Sequence, residues 1–263
     1  MDLYLKDKTI LVTGGSKGIG FACAKILAIE GAQVLLSSRS RENLELASEE
    51  ILKVSGIKPA VFPADVSSSE SILELKKQVT GSYNKLDGLV INAGGPPAGP
   101  PLSKNDKDWE NAFKTNFLSG VRLTREFIPL MQKNRFGRIV AITSTGMKQP
   151  LPNLVLSNAN RIGLAGYLKT ISLEVAKDNI LINIVMPGAI NTGRLRSLMS
   201  KMALEKGVSY EDIEADRLSK IPVGRIGEPE ELGTFITFLL SGRNTYITGQ
   251  AIAVDGGIIS TIL

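Results

Sequence analysis

The sequence predicts a doubly wound α/β fold, with a mostly seven-stranded parallel sheet covered by helices on both faces. Short apolar runs alternate with longer amphipathic stretches almost to the end of the chain, and this alternation is typical of parallel strands joined by right-handed helical crossovers. The apolar runs are continuous in Val, Ile and Leu, as expected for strands that are buried on both faces. A glycine-rich turn joins the first strand to the first helix, and such a junction favours phosphate binding.

Seven apolar segments have the length and flanking turn residues of strands. They are Thr9–Thr13, Gln33–Ser37, Pro59–Phe62, Leu86–Ile91, Arg138–Thr143, Leu181–Met186 and Ala251–Val254. Helical periodicity predicts the elements between them, which are Gly18–Glu30, Arg41–Val54, Ser68–Thr80, Asp106–Gln132, Leu154–Lys177 and Pro229–Leu240. No linker, repeat or low-complexity tract divides the chain, so we expect residues 1–263 to form a single dinucleotide-binding domain.

Two segments interrupt the regular pattern. Gly94–Pro101 reads GGPPAGPP, which predicts a stiff loop because proline cannot continue a helix or a central strand. Residues 188–227 lie between the sixth strand and the last long helix and contain weakly helical, charged pieces. A long insertion after a parallel strand favours a substrate lid. Its apolar residues Leu195, Leu198, Met199 and Met202 suit an apolar substrate tail, and equally well helix packing or a subunit contact.

Composition excludes several classes of protein and site. The chain has 43% hydrophobic and 22% charged residues, ordinary values for a soluble globular protein. With no histidine and one cysteine, we expect no metal site and no internal disulfide, and a cytoplasmic location. The N-terminus lacks a signal pattern, and no apolar run is long enough for a membrane helix. The net charge is +5, but the basic residues are scattered, so we expect no nucleic-acid partner.

The turn after the first strand is the strongest local motif. It reads TGGSKGIG, with glycines at Gly14, Gly18 and Gly20, and a helix follows at once. Glycines let the backbone approach a pyrophosphate, which then lies on the helix N-terminus. Plain turn glycines are the alternative, but the order of strand, turn and helix favours dinucleotide binding. The predicted contacts include Ser16, Lys17 and Ile19.

The tip of the second strand bears on the choice of cofactor. It reads Leu36-Ser37-Ser38-Arg39 and carries no acidic residue. An acidic residue here usually holds the ribose hydroxyls of NAD, whereas an arginine pairs with the extra phosphate of NADP. Lys17 and Ser38 are further candidate phosphate ligands, although Lys17 and Arg39 also fit two ordinary exposed basic residues. We therefore expect NADP(H) to be preferred over NAD(H).

Further motifs follow the later strands and show a family resemblance. They are Asp65-Val66, Asn92-Ala93-Gly94, Asn116, Ser144, Pro187-Gly188 with Ile190 and Thr192, and the C-terminal ITGQAIAVDGG. With TGGSKGIG, they resemble the classical short-chain dehydrogenase/reductase family, particularly its 3-oxoacyl-acyl-carrier-protein reductases, over essentially the whole chain. The resemblance implies a Rossmann fold, with Asp65-Val66 at the adenine, Asn92-Ala93-Gly94 along the cofactor, and Pro187 to Thr192 at the nicotinamide carboxamide. It also implies catalytic roles for Ser144 and Asn116 and a homo-oligomer, either tetramer or dimer.

The resemblance breaks where the family carries its catalytic Tyr and Lys. Counting from Ser144, these positions hold Ser157 and Arg161. Arg161 lies one helical turn after Ser157, so its charge is available for the nicotinamide ribose and for a developing alkoxide. It cannot easily give up a proton, and a water is the hypothetical relay. Ser157 is equally well explained as a helix N-cap. Tyr4 and Tyr167 are poor replacements for the lost tyrosine because their positions in the chain are wrong.

Three functions remain open from the sequence, one of which is altered chemistry, such as dehydration or isomerisation, in the pocket enlarged by the loss of the tyrosine. The leading interpretation is an atypical oxidoreductase that transfers a hydride between NADP(H) and a carbonyl or secondary alcohol, with 3-oxoacyl thioesters among the candidate substrates. The alternative is a catalytically impaired NADP(H)-binding protein with a structural or regulatory role, because both Tyr and Lys are lost. The discriminating residue is Arg161, since a pure binder has less need of a charge near the ribose.

Overall fold

A computed structural model describes residues 1–262 and contains one seven-stranded sheet. Every neighbouring pair of strands is parallel, and the strand order is β3-β2-β1-β4-β5-β6-β7. The strands are β1 Thr9–Thr13, β2 Gln33–Ser38, β3 Ala60–Pro63, β4 Gly88–Ile91, β5 Gly137–Ile142, β6 Ile180–Pro187 and β7 Ala251–Val254. The predicted doubly wound fold is confirmed.

Nine α-helices accompany this sheet in residues 1–262. They are α1 Gly18–Ile29, α2 Arg41–Ser55, α3 Ser69–Ser82, α4 Asp106–Phe113, α5 Ser119–Asn134, α6 Val155–Val175, α7 Gly193–Lys206, α8 Tyr210–Leu218 and α9 Pro229–Leu240. The core lies in two layers, one on each face of the sheet. Helices α1, α2 and α9 cover one face, while α3, α5 and α6 cover the other. Burial on both faces explains why the strands lack an apolar–polar alternation.

The structure corrects the prediction of one continuous helix over Asp106–Gln132. This segment is α4, then a π-helical turn over Lys114–Leu118, then α5. The ring of Phe113, the last residue of α4, stacks on that of Phe117 in the turn, with centroids 4.9 Å apart. Sequence periodicity missed the turn because its flanking residues keep right-handed helical dihedrals, so only the hydrogen-bond spacing changes.

The segment 188–227 folds into α7 and α8, which begin at the capping residues Thr192 and Ser209. It has a small core of its own, to which Leu195 and Met199 contribute. These two apolar residues therefore pack against other residues of the same segment, as expected for helix packing. None of the described helices combines the length and apolar character that a membrane span requires. The role of the segment as a lid stays a prediction.

Candidate functional site

The candidate site lies at the carboxyl edge of the sheet, where the strand order reverses between β1 and β4. Open α/β sheets bind ligands at this switch point, because the connections leave on opposite faces and open a crevice. Thr13 joins the two strand ends: its hydroxyl donates to the Asn92 carbonyl at 2.9 Å and accepts from the Asn92 N–H at 2.9 Å. The side-chain amide of Asn92 donates to the Gly14 carbonyl at 3.2 Å. The end of β4 therefore supports the glycine turn.

The glycine turn needs glycine for two different reasons. Gly14 has a φ of +58°, in the left-handed region that is strained for other residues. Gly20 lies so close to the preceding turn that a Cβ there would be 2.3 Å from the Gly14 carbonyl oxygen. Gly18 faces Thr192 at the base of α7, and a Cβ on it would be 3.4 Å from the Thr192 methyl group. The turn is therefore packed between β4 and the start of α7.

The N-terminus of α1 differs from those of α2 and α3. Ser40 and Ser68 each accept a backbone N–H at the start of their helices. In contrast, the N-cap residue of α1 is Lys17, whose side chain makes no capping bond, and the first turn of α1 contains no acidic residue. Its first N–H groups and the positive end of the helix dipole therefore stay available to an anion. Ser16 and Ile19 are half-buried beside this terminus.

The predicted adenosine-binding residues lie around the ends of β2 and β3. Ser38 is half-buried, and its hydroxyl oxygen is inaccessible and has no hydrogen-bond partner within residues 1–262. Lys17 and Arg39 are exposed. Asp65 accepts from the N–H and the hydroxyl of Ser67 at 2.9 and 2.8 Å, which fixes the loop that contains the half-buried Val66. The exposed cations suit a phosphate, whereas the Ser38 hydroxyl would reach one only after its side chain rotates outward.

The residues predicted to lie near the nicotinamide follow β4 and β6. Ala93 is half-buried and Gly94 is exposed on the loop after β4. Pro187 ends β6, and the Gly188 N–H donates to the Val254 carbonyl at 3.1 Å. Ile190 is buried and pairs as a short parallel bridge with Gly227, and the Thr192 hydroxyl accepts the Leu195 N–H at 3.3 Å.

Ser157 and Arg161 form a buried pair on α6. The Arg161 Nε donates to the Ser157 hydroxyl at 3.1 Å, and its Nη1 donates to the Ile142 carbonyl at 2.8 Å. Burial is the main cause that lowers the pKa of Arg161 to about 10, and the positive charge of Arg194 lowers it further. The guanidinium thus stays charged at neutral pH and is anchored to the end of β5.

The Ser157 and Ser144 hydroxyls each accept one N–H. The Ser144 hydroxyl accepts from the Gly146 N–H at 3.1 Å and so caps a short turn after β5. Because an accepting hydroxyl keeps its own hydrogen, both serines can still donate to a ligand. The alternative that Ser157 is a helix N-cap is wrong, because α6 begins at Val155 and its N-cap residue is Leu154.

Asn116 lies in the π-helical turn and is 3% exposed. Its amide nitrogen donates to the Gly94 carbonyl at 3.0 Å, whereas its amide oxygen is buried and has no partner in the described chain. An unpaired buried amide oxygen is costly unless a water or ligand donates to it. The π-helical turn therefore brings an available acceptor to the loop after β4.

Neither alternative tyrosine reaches this site. The Tyr167 hydroxyl hydrogen-bonds the Thr124 hydroxyl at 2.9 Å, between α5 and α6. Tyr4 is 51% exposed, and its ring packs under the Arg243 guanidinium at 4.4 Å. These contacts agree with the expectation that neither Tyr4 nor Tyr167 replaces the lost tyrosine.

Arg194 is a site residue that the sequence analysis missed. Its Nη2 donates to the Pro96 carbonyl at 2.6 Å, so the first turn of α7 contacts the loop after β4. Partial burial lowers its pKa. The position of Arg194 in the sequence could have indicated it, because Arg194 lies two residues after Thr192 in a segment that is predicted to cover the site.

Comparisons with known proteins agree with this architecture. Residues 14–259 match the family model described as Enoyl-(Acyl carrier protein) reductase. The chain is 33% identical to the 3-oxoacyl-acyl-carrier-protein reductase FabG of Thermotoga maritima, and the match covers 98% of this chain and 100% of that protein. Among solved structures, the L-sorbose reductase from Gluconobacter frateurii, complexed with NADPH and L-sorbose, has a TM-score of 0.94 and 31% identity, with 100% of both chains covered.

A second solved structure is the NADPH-dependent reductase YwfH involved in bacilysin biosynthesis. It has a TM-score of 0.93 and 29% identity, covering 98% of this chain and 100% of YwfH. Sequence and structural similarity thus extend over nearly the whole length of each protein. The chain therefore belongs to the short-chain dehydrogenase/reductase family of oxidoreductases.

Proposed function

We propose that this chain is an NADPH-dependent carbonyl reductase in which Ser157 and Arg161 take the positions of the family's Tyr and Lys. The observation that carries the proposal is the buried Arg161 guanidinium, anchored to β5 and bonded to Ser157. Burying a charge is unfavourable, and a protein that only binds a cofactor has little need of it. A charge beside two hydroxyl donors suits a reaction in which negative charge develops on an oxygen.

The described residues fit NADPH. The uncapped N-terminus of α1 suits the pyrophosphate, and Lys17 and Arg39, with the Ser38 hydroxyl after its side chain rotates outward, suit the phosphate on the adenosine ribose. Asp65 and Val66 would lie at the adenine. NADPH supplies the hydride when bound. The NADPH complex of the sorbose reductase supports the same choice.

The nicotinamide half would lie along the rest of the site. Its contacts are proposed to be Asn92, Ala93, Gly94, Pro187, Gly188, Ile190 and Thr192, with Arg161 at the ribose. This arrangement directs the reacting ring toward the end of β5, where Ser144 lies.

Ser144 and Ser157 would hydrogen-bond the substrate carbonyl through their free hydroxyl hydrogens. Arg161 stabilises the alkoxide that forms, because its charge persists at neutral pH. The proton that completes the alcohol comes from a water, and the hydroxide that remains is neutralised by proton exchange with bulk solvent. We propose that the unpaired Asn116 amide oxygen holds that water.

We propose 3-oxoacyl thioesters as the first candidate substrates. A curated relative is named as a reductase of 3-oxoacyl groups on an acyl carrier protein, and the sorbose reductase complex contains a sugar. Both are carbonyl compounds. The chain itself is proposed to act on a small-molecule carbonyl or acyl substrate as a homo-oligomer.

The test measures NADPH oxidation with 3-oxoacyl thioesters and simple ketones. Wild type is compared with Arg161→Ala and with the double mutant Ser157→Tyr/Arg161→Lys, after NADPH binding to each has been verified by fluorescence. We expect turnover by wild type and a loss of about 100-fold or more in Arg161→Ala, as for removal of a charge-stabilising donor. Turnover by the double mutant alone would contradict the proposal and favour the impaired NADP(H)-binding protein.

A further inference from the structure

The mouth of the site carries a second arginine that the proposed reduction does not use. Arg194 is the second residue of α7. Its guanidinium lies against Gly95, and a Cβ on Gly95 would be 3.3 Å from the Arg194 Nη2. Its side chain spans from α7 to the Pro96 carbonyl. That neutral carbonyl uses one guanidinium nitrogen and leaves further N–H donors free.

Arg194 and Arg161 share a site without a counter-ion. Neither forms an ion pair within residues 1–262, although eleven ion pairs involving other side chains are present there. They are near enough that the charge of Arg194 lowers the pKa of Arg161. Arg161 is buried, whereas Arg194 is exposed. Their like charges repel each other, and an anion between them would reverse this unfavourable interaction.

The surrounding rim is also basic. The ammonium groups of Lys104 and Lys201 both donate to the Ala98 carbonyl, at 3.1 and 3.5 Å. Lys201 also pairs with Glu205 on its outer side, whereas Lys104 has no carboxylate partner among the described residues. Clefts lined by one sign of charge raise the local concentration of the opposite ion.

The guanidinium geometry favours one kind of anion. A planar fork of N–H donors matches a carboxylate in two parallel hydrogen bonds. Arg161 uses Nε and Nη1 on Ser157 and Ile142, which leaves the outer nitrogen for a ligand. Arg194 extends from α7 to the loop after β4, whereas Arg161 is held at the end of β5.

We propose that Arg194, together with Arg161, binds the carboxylate of the substrate, so that the enzyme selects small oxo acids over neutral carbonyl compounds. This inference rests on the proposed carbonyl reduction and narrows its substrate from 3-oxoacyl thioesters to free acids. The carboxylate would enter between α7 and the loop after β4, and the oxo group would face Ser144 and Ser157.

Equilibrium binding tests the proposal without turnover. Acetoacetate and levulinate, with their methyl esters as neutral controls, are titrated calorimetrically into the protein saturated with NADP⁺. We expect each acid to bind more tightly than its ester. In Arg194→Met the Kd of the acids should rise about 10- to 100-fold, as expected for a lost charge-assisted hydrogen bond, while the esters change less than about twofold.

Two further variants make the comparison specific. Arg196→Met removes a neighbouring arginine of α7 that instead bonds Asn191 at 2.6 Å, and it should leave acid binding unchanged. Arg194→Lys keeps the charge and should recover part of the affinity. Equal binding of acids and esters by wild type would overturn the proposal. So would a tenfold weaker NADPH affinity in Arg194→Met, because Arg194 would then serve the cofactor phosphates.

Measurements of NADPH oxidation distinguish the proposed carboxylate site from the proposed carbonyl reduction. Wild-type reduction of acids and neutral esters with equal kcat/KM, unaltered for both by Arg194→Met, would uphold carbonyl reduction and refute acid selection. Arg194-dependent binding of acids with no oxidation of NADPH would uphold the carboxylate site and refute the proposed reduction.

Discussion

Replacing Arg161 with Met should destroy activity without destabilising the protein. Methionine is unbranched and flexible, so it fills the channel that the arginine stem leaves. Burial lowers the pKa of Arg161 from 12.5 to about 10, so keeping the charge in the folded state costs about 3 kcal/mol at neutral pH. The variant removes this cost.

The opposing cost in folding free energy is at most about as large as this gain. The variant leaves the Ile142 carbonyl without its 2.8 Å guanidinium bond, a loss of about 1–3 kcal/mol. The Ser157 oxygen also loses the Nε–H that it accepts, and its own hydroxyl hydrogen remains available to donate. The net effect on the free energy of unfolding is then a gain of about 0–2 kcal/mol, or a rise in Tm of about 0–6 °C for a chain of this size.

Calorimetry and NADPH oxidation provide the two readouts, with Arg138→Met as the matched control. Arg138 is also a buried arginine with a pKa near 10, but it donates to three carbonyls, those of Asn244, Gly137 and Asn179. We expect Arg138→Met to lower Tm and to keep the activity per folded molecule. A Tm that falls by more than about 3 °C in Arg161→Met, about 1 kcal/mol, would refute the reasoning and make Arg161 a structural residue.

Three further predictions follow from the site. Gly20→Ala places a methyl group 2.3 Å from the Gly14 carbonyl oxygen. Calorimetry should therefore show that the free energy of unfolding falls by about 1–3 kcal/mol, and fluorescence should show weaker binding of NADPH. Unchanged NADPH binding would contradict this packing. Arg39→Asp should raise the KM for NADPH about 10- to 100-fold and spare NADH, whereas Arg41→Asp, whose arginine pairs with Glu45 at 3.5 Å, should change neither. Because reduction needs the charged Arg161, kcat/KM should fall as pH rises through about 10; constant activity there would separate catalysis from this charge.

The fold was predictable from sequence because its strands are continuous apolar runs. Thr9–Thr13 and Ala251–Val254 have the predicted bounds, since turn residues limit them on both sides. The glycine turn was equally readable, because its backbone geometry admits few alternatives at Gly14 and Gly20. Local pattern and tertiary packing agree at these positions.

The catalytic part of the site was only partly predictable. The sequence placed Ser157 and Arg161 one turn apart, and their hydrogen bond follows from that spacing. It did not indicate that Arg194 crosses to Pro96, because this contact joins residues 98 positions apart and depends on how α7 rests over the loop. Pairwise contacts of this kind have no local periodicity to reveal them.

The π-helical turn at Lys114–Leu118 makes the site sensitive to the length of the chain as well as to its side chains. Such a turn contains one residue more than a regular turn would. Deleting one residue from it would restore the regular spacing and rotate α4 by about 100° relative to α5. Asn116 would then lose its alignment with the Gly94 carbonyl, although every other side chain of the site would be unchanged.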